Sequence, residues 1–190
     1  MLTLDRRDCK IGTAINTRRE LHGEEPVPAM DIPIAEIHLS REELQALFDD
    51  KTVWDSWFDL RKGDKLPEPA GWVKECKAFA RGDKFKDSQA ILYVGLKPEV
   101  ITLVNVKLSK LKLKPLVGGL TALSLTIQCT PEMEKAAKVF DHLDHTAYIA
   151  LEIGERDDSK AVKNQPELPM DMTKDDKPTK RKSSSHSAAH

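Results

Sequence analysis

The chain lacks the basic surplus that most dedicated nucleic-acid-binding proteins carry. Its 30 lysines and arginines nearly balance its 31 aspartates and glutamates, which leaves a formal net charge of −1 over 190 residues. Neutralisation of phosphates supplies most of the affinity of such proteins, so the total charge does not indicate a protein that is basic all over. It leaves room for a local basic stripe.

Cysteines and long apolar runs are also scarce. The three cysteines are widely spaced, and no two form a C-x-x-C pair. This pattern is typical of reduced thiols in a cytosol and not of a disulfide framework. The first residues show no apolar segment of the signal-peptide type, and no run approaches the roughly 18 apolar residues that span a membrane. We therefore expect a cytoplasmic protein.

Common catalytic fingerprints are missing. There is no G-x-S-x-G elbow, Walker loop, H-E-x-x-H pair or glycine-rich dinucleotide motif. His142 and His145, three residues apart beside Asp141 and Asp144, would ligate zinc if a helix continued through them. Residues 18–25 also gather carboxylates and a histidine that suit acid–base work or Mg²⁺. A charged helix end and a charged hairpin tip explain both clusters more simply, so we expect no metal and no cofactor.

Strand patterns dominate what the chain does contain. Residues 12–20 and 27–39 flank a turn around Gly23 and predict an antiparallel pair, with Pro28 and Pro33 indicating an edge or bulged strand. Residues 88–96, 100–113, 120–129 and 146–153 are rich in β-branched residues or alternate apolar with polar ones. They predict four further strands.

Two amphipathic helices are predicted between the strands. One spans about residues 41–50 and begins at a capping box formed by Ser40 and Glu43. The other spans residues 131–143, with Thr130 as N-cap and Pro131 in the first position. Its expected core face carries Met133, Ala136, Ala137, Phe140 and Leu143.

These elements define a fold class. They predict a β-rich α+β domain over residues 1–153, in which two helices cover a mainly antiparallel sheet. From residue 154 to 190 the pattern vanishes into charged and small residues, which cannot bury enough apolar surface to offset the entropy of ordering. That segment is predicted to be a disordered charged tail.

A basic ribbon is the strongest candidate for a binding surface. Strand alternation places Lys110, Lys112 and Lys114 on one face and leucines on the other, and Lys107 lies just before them. Such a ribbon suits a phosphate track, although lysines also protect an edge strand from aggregation. Single-strand binders add aromatic platforms, and Trp54, Trp57, Trp72 and Tyr93 are available, but no pattern in the sequence places them beside the lysines.

The predicted tail contains a candidate docking peptide. Gln165, Leu168, Pro169 and Met170 resemble the short peptide by which bacterial replication proteins bind the sliding clamp, although Pro166 departs from the usual aliphatic residue. An apolar group in an otherwise polar tail is consistent with such a peptide.

Two stretches resemble a known family. Residues 18–34 and residues 118–131 are similar to parts of small proteins encoded in the early recombination and replication regions of tailed bacteriophages. The resemblance covers about residues 1–153, and it implies a phage-infected host cytoplasm and no particular activity or catalytic residues.

The expected function is a non-catalytic accessory role in phage DNA metabolism. The protein would bind single-stranded DNA or a replication or recombination partner, with Lys107, Lys110, Lys112 and Lys114 as its electrostatic surface. One alternative is a protein-only module that inhibits a host defence or host polymerase component. Another is a metal-dependent hydrolase built on the two histidines. Exposed edge strands of two copies could also pair across a two-fold axis, so a homodimer is one possible state.

Overall fold

Strands dominate the structure. This structure, a computed structural model, describes residues 2–22, 25–60, 66–76, 78–95 and 99–157, with side chains except at residues 19–22 and 25–28. The strands there are β1 (Leu2–Ile11), β2 (Asn16–His22), β3 (Glu25–Leu39), β4 (Phe58–Asp59), β5 (Glu68–Pro69), β6 (Phe79–Arg81), β7 (Phe85–Val94), β8 (Glu99–Pro115), β9 (Thr121–Cys129), β10 (Thr146–Ile153) and β11 (Glu155–Arg156). The helices there are α1 (Arg41–Phe48), α2 (Val53–Trp57), α3 (Gly71–Glu75) and α4 (Met133–Phe140). The predicted β-rich α+β class with an antiparallel sheet is confirmed.

Six of the strands close into an antiparallel barrel. Around the barrel they follow the order β1, β3, β9, β8, β7 and β10, and β10 pairs again with β1. Strands β2, β6 and β11 extend this wall by pairing with β3, β8 and β7, while β4 and β5 form a separate short pair. Closure removes the free edges that an open sheet of these strands would expose.

The barrel interior is a packed core. The inward residues of β9 are the predicted ones, and all of them are buried: Leu123, Leu125, Ile127 and Cys129. Leu92, Ile101 and Ile149 enter from three other strands and are at most 1% exposed. A six-stranded barrel is narrow enough for side chains to fill it, so the interior is a core and not a channel.

Helix α1 begins as predicted. The backbone N–H of Glu43 donates to Ser40 Oγ at 3.2 Å, and the backbone N–H of Ser40 donates to the Glu43 carboxylate at 2.7 Å. This capping box satisfies two backbone donors that the first helical turn would leave unpaired. The helix then buries Leu44 and Leu47 against the end of the barrel at which β3 finishes.

Two tryptophans of α2 cover the same end of the barrel. Trp54 and Trp57 are 5% and 7% exposed. The indole N–H of Trp54 donates to the backbone oxygen of Gly119 at 2.8 Å, and Trp57 stacks on Phe79 with ring centroids 4.6 Å apart. Both side chains are therefore part of the core and are unavailable to a ligand.

Helix α4 begins later than the sequence pattern predicts. It starts at Met133 with Glu132 as N-cap, and not at Pro131 after a Thr130 cap. The backbone is still extended at Glu132, with ψ of 151°. A proline disfavours helical backbone in the residue before it, which keeps Thr130 out of the helix as well.

The predicted core face of α4 is also wrong in part. Met133 is 79% exposed and Phe140 is 41% exposed, while Val139 is fully buried. Helix α1 follows Leu39 and α4 follows Cys129, at opposite ends of the paired strands β3 and β9. The two helices therefore cap opposite ends of the barrel, and α4 contributes one deep side chain to its end.

The last strand of the barrel, β10, ends at Ile153, as predicted. A short strand, β11, follows it. The backbone N–H of Gly154 donates to Ser88 Oγ at 3.0 Å, and β11 follows. A Cβ at Gly154 would lie 2.1 Å from the backbone oxygen of Lys86, so the position requires glycine. Residues 158–190 lie outside the described residues, and the tail stays a prediction. No helix in the described ranges is long and apolar enough to cross a membrane.

The three cysteines differ in accessibility, and this leads to a labelling prediction. Burial raises the pKa of the Cys9 and Cys129 thiols to about 12, while Cys76 is exposed. Because the thiolate is the reacting species, we expect a thiol reagent at about pH 8 to label one cysteine per native chain quickly. Counting labelled thiols before and after denaturation, with Cys76→Ser as control, checks this. Fast labelling of the Cys76→Ser variant would contradict it.

Candidate nucleic-acid interface

The predicted lysine ribbon lies on the outer surface of the barrel. Lys107, Lys110, Lys112 and Lys114 of β8 are all exposed, whereas Leu111 and Leu113 between them are fully buried. We call these four residues the lysine row. Alternate residues of a strand are about 6.8 Å apart, so the row follows the strand as a line of separated cations.

A β-bulge places Lys107 in the same row as the other three lysines. Simple alternation would put Lys107 and Lys110 on opposite faces, because they are three positions apart in the sequence. In the pairing of β8 with β9, however, Lys110 and Leu111 together stand opposite one residue, Leu125. Lys110 takes a positive φ of 54°, which accommodates the extra residue. The bulge therefore turns all four lysines to the outside.

The lysine row is not neutralised by neighbouring carboxylates. In the part of the chain that the structure describes, none of its four members forms an ion pair. Other lysines do: Lys10 Nζ lies 2.8 Å from Asp144, and Lys138 Nζ lies 2.9 Å from Glu134. Hydrogen bonds to these carboxylates raise the pKa of both lysines. The row keeps its charges available for an external anion.

The neighbouring strand β9 offers a neutral surface. Its outward positions carry small or uncharged residues, of which Thr126 is buried and the others are partly exposed: Ala122, Ser124, Thr126 and Gln128. Three of them lie in register with Lys114, Lys112 and Lys107 respectively: Ala122, Ser124 and Gln128. A polymer lying along the row would meet no carboxylate on this strand.

The next strand, β3, carries a carboxylate that is already engaged. Asp31 accepts hydrogen bonds from the guanidinium of Arg18 and from Gln128 Nε2, the latter at 3.2 Å. These contacts compensate the charge of Asp31, so its repulsion of an anion on the lysine row is reduced.

The aromatic residues named from the sequence fall into different environments. Trp54 and Trp57 are buried, whereas Trp72 is 50% exposed on α3. Tyr93 stands opposite Tyr148 on the outer wall formed by β7 and β10. The structure therefore leaves two of these four rings, Trp72 and Tyr93, at least partly exposed.

The tyrosine wall has an arginine of its own. The Arg6 guanidinium carbon lies 4.4 Å and 4.8 Å from the ring centroids of Tyr148 and Tyr93. Asp5 and Arg6 fall at a register shift of β1, where a bulge redirects side chains. Asp8, which is in register with Tyr148, adds negative charge to the same wall. Because aromatic rings and charges of both signs lie together here, this surface suits a protein partner better than it suits a phosphate group.

Two cavities open near the barrel end that α1 and α2 cover. The larger, of about 530 Å³, is lined by apolar residues such as Phe48 and Phe85 together with Asp49 and Arg156. The smaller, of about 330 Å³, lies between α3 and the end of β8 and includes Lys114 in its lining. The smaller cavity therefore adjoins the lysine row.

The histidines proposed as metal ligands do not share a helical face. Helix α4 ends at Phe140, before His142, and the rings of His142 and His145 lie 6.1 Å apart and nearly perpendicular. Asp144 is held by Lys10, and His145 Nδ1 lies 2.7 Å from the backbone oxygen of Leu143. Across the described residues, no group of three or more metal-ligating side chains occurs. The zinc-site hypothesis required the helix to continue through His142 and His145, and α4 ends before them.

Several sequence predictions lie outside the described residues. The carboxylates and histidine of residues 19–25 have no described side chains, and Arg18 of the same cluster pairs with Asp31. The candidate clamp-binding residues Gln165, Leu168, Pro169 and Met170 also lie outside. The clamp and the host-protein partner stay predictions.

Comparisons with known proteins do not add to this picture. No protein-family model matches the chain, and neither curated proteins nor solved structures give a match. Its candidate function must therefore be argued from its own surface.

Proposed function

We propose that this protein is a non-catalytic accessory factor of phage DNA metabolism that binds single-stranded nucleic acid along the lysine row. The observation that carries the proposal is the row itself. Its four exposed lysines, Lys107, Lys110, Lys112 and Lys114, point the same way and form no ion pair with any described residue. The phage setting is taken from the sequence resemblance of residues 18–34 and 118–131 alone.

The geometry suits an extended polyanion. Lysines at alternate strand positions repeat about every 6.8 Å, whereas phosphates in one strand of a duplex advance about 3.4 Å along the axis. A strand that is not wound into a duplex can extend to match the wider spacing. Lysine–phosphate contacts release condensed counterions, and this drives binding even when the total charge of the protein is near zero.

Binding is tested by fluorescence anisotropy of labelled single-stranded and duplex DNA, titrated with the full chain. Four phosphate contacts on a single strand give a slope of about −2.8 in log affinity against log salt. Raising the salt from about 50 mM to 200 mM should therefore weaken single-strand binding roughly 50-fold. Absence of binding at the lower salt would overturn the proposal.

A protein-only interaction module is the second candidate. The wall around Tyr93 and Tyr148 favours it, because tyrosine and arginine are enriched in protein interfaces and Val100 and Val104 nearby are 57% and 61% exposed. The occupant would be a host defence or polymerase component, or a second copy of the chain. Recovery from host lysate of one stoichiometric protein, unaffected by nuclease, would favour this candidate over the first.

A further inference from the structure

The tyrosine wall extends over four neighbouring strands of the barrel. Asp8 of β1 stands directly opposite Tyr148 of β10, Tyr148 opposite Tyr93 of β7, and Tyr93 opposite Val100 of β8. Side chains that stand opposite one another in antiparallel strands point to the same face and lie about 4.5–5.5 Å apart at Cβ. Tyr148 and Val100 are 41% and 57% exposed. These four side chains therefore form one row across the outer surface.

The centre of the tyrosine wall is uncharged. The next row along the strands consists of Ala150, Ile91 and Thr102, which stand opposite one another and are partly exposed. Val104, two positions beyond Thr102 on β8, is 61% exposed. Charge returns only in the row after that, with Glu152 of β10. Absence of charge and presence of tyrosine are typical of the core of a protein interface.

Two opposite charges on β1 border this uncharged area. Asp8 is exposed beside Tyr148, and the Arg6 guanidinium carbon lies 4.4 Å from the centre of the Tyr148 ring. Among the described residues, neither Arg6 nor Asp8 has a partner in an ion pair, whereas Arg7 and Lys10 of the same strand do. The wall therefore keeps one cation and one anion for an external partner.

The arrangement of these charges makes the wall complementary to itself. Tyr148 lies between Asp8 on one side and Tyr93 on the other, and Arg6 reaches across to the Tyr93 ring, 4.8 Å from its centre. A two-fold axis that runs along β10 exchanges the two sides of Tyr148, so it brings Asp8 of each copy to Arg6 of the other. Each contact of such an isologous interface occurs twice. A wall with charges of one sign would instead repel its own copy.

We propose that the tyrosine wall binds a second copy of the chain, face to face about a two-fold axis, with Tyr148 at the centre and reciprocal ion pairs between Arg6 and Asp8. The inference goes beyond nucleic-acid binding and does not depend on it. It assigns one occupant to the surface that the second candidate function uses. Burial of the uncharged centre stabilises the dimer, and the ion pairs fix its orientation. The free edge strands through which the sequence predicted a homodimer are not needed.

Sedimentation velocity of the full chain over protein concentrations from roughly 0.1 to 100 µM tests the inference, because this range spans micromolar dissociation constants. The mass of the sedimenting species should rise from one chain to two and then stop, since an isologous interface closes on itself. A mass of one chain at every concentration would overturn the inference, and so would growth beyond two chains. Capture of a host protein by a chain that stays monomeric would assign the wall to that protein instead.

A charge swap tests the reciprocal pairs. Arg6→Glu alone and Asp8→Arg alone each place like charges opposite one another twice in the dimer. Each should raise the dissociation constant of the dimer at least about 100-fold. The double variant Arg6→Glu with Asp8→Arg restores both pairs with exchanged signs, so its dissociation constant should return to within about tenfold of the original. Single variants that dimerise normally, or a folded double variant without recovery, would contradict the proposed arrangement.

Two further variants separate the interface from general effects. Tyr148→Ala removes the central ring from both copies and should raise the dissociation constant by about 30-fold or more. Lys51→Glu changes the formal charge by the same amount as Arg6→Glu, but Lys51 is exposed on the loop between α1 and α2, so the dimer should persist. An equal loss with Lys51→Glu would show a general charge effect and overturn the role of Arg6. Thermal melting of each variant verifies its fold.

Anisotropy with labelled single-stranded DNA distinguishes failure of this inference from failure of the proposed function. A chain that is monomeric at all concentrations and still binds the strand refutes the dimer and keeps the lysine row. A chain that forms the dimer, with recovery in the charge-swapped variant, and binds no strand supports the inference and refutes the proposed function.

Discussion

Replacing Lys107, Lys110, Lys112 and Lys114 together by alanine should remove most of the salt dependence of single-strand binding. Each lysine–phosphate contact contributes about 0.7 to the slope of log affinity against log salt, so four account for about 2.8. Between a 1 M reference and about 50 mM salt, a slope of that size corresponds to a roughly 4,000-fold difference in affinity, which the quadruple variant should lose. Anisotropy over a series of salt concentrations measures both the slope and the loss.

The matched control removes the same number of charges from other places. Lys10, Lys135 and Lys138 are paired with carboxylates, and Lys51 is exposed on the loop between α1 and α2. Replacing these four by alanine also takes the formal net charge from −1 to −5. We expect this control to keep a slope close to that of the natural sequence. Similar losses in both quadruple variants would show a general charge effect, and the lysine row would lose its special role.

Local periodicity predicted the strands that carry the candidate site. In β9 and in residues 110–115 of β8, apolar and polar or small residues alternate. The structure buries the apolar set of both strands and exposes the lysines of β8, while the second set of β9 is partly exposed except for Thr126, which is buried. The burial of Leu111 and Leu113 between exposed lysines is the clearest example. Such patterns are readable from sequence because side chains of a strand point to opposite faces in turn.

Bulges explain what local periodicity missed. Strand β1 went unpredicted because its inward-facing Leu4 and Cys9 are five positions apart, an odd number, and the register shifts between Leu4 and Arg7. A one-residue change of phase reverses inside and outside, so no alternating pattern is left to detect. The same physics hid the position of Lys107, which the bulge at Lys110 brings to the outer face. A positive φ angle at Lys110 could not be predicted from the sequence, because lysine is not among the residues enriched in that conformation.

Closure of the barrel depends on contacts that local sequence does not encode. The pairing of β1 with β10 joins residues that are more than 130 positions apart, such as Cys9 and Ala147. The pairing of β6 with β8 likewise joins residues that are far apart in the sequence, such as Phe79 and Leu113. Residue types and alternation thus predicted the exposure of the lysines at positions 110, 112 and 114, whereas long-range pairing decides where their strand lies in the barrel.

Replacing Leu92 by alanine should destabilise the barrel by about 2–5 kcal/mol, the usual cost of deleting a large buried aliphatic side chain. Leu92 is fully buried and stands between Ile101 of β8 and Ile149 of β10, at the junction that closes the barrel. Its neighbours are held by three paired strands and cannot collapse into the space left behind. At a urea slope of about 2 kcal/mol/M, the unfolding midpoint should fall by roughly 1–2.5 M.

The adjacent residue provides the control for this variant. Ile91 lies on the same strand with its side chain on the outer wall, where it is only partly buried. Ile91→Ala removes the same number of carbon atoms, but the cost should stay near 1 kcal/mol or below because solvent already reaches the side chain. A loss as large as that of Leu92→Ala would mean that the outer wall is covered. If a second copy of the chain covers it, the unfolding midpoint will rise with protein concentration, because dissociation is then part of unfolding.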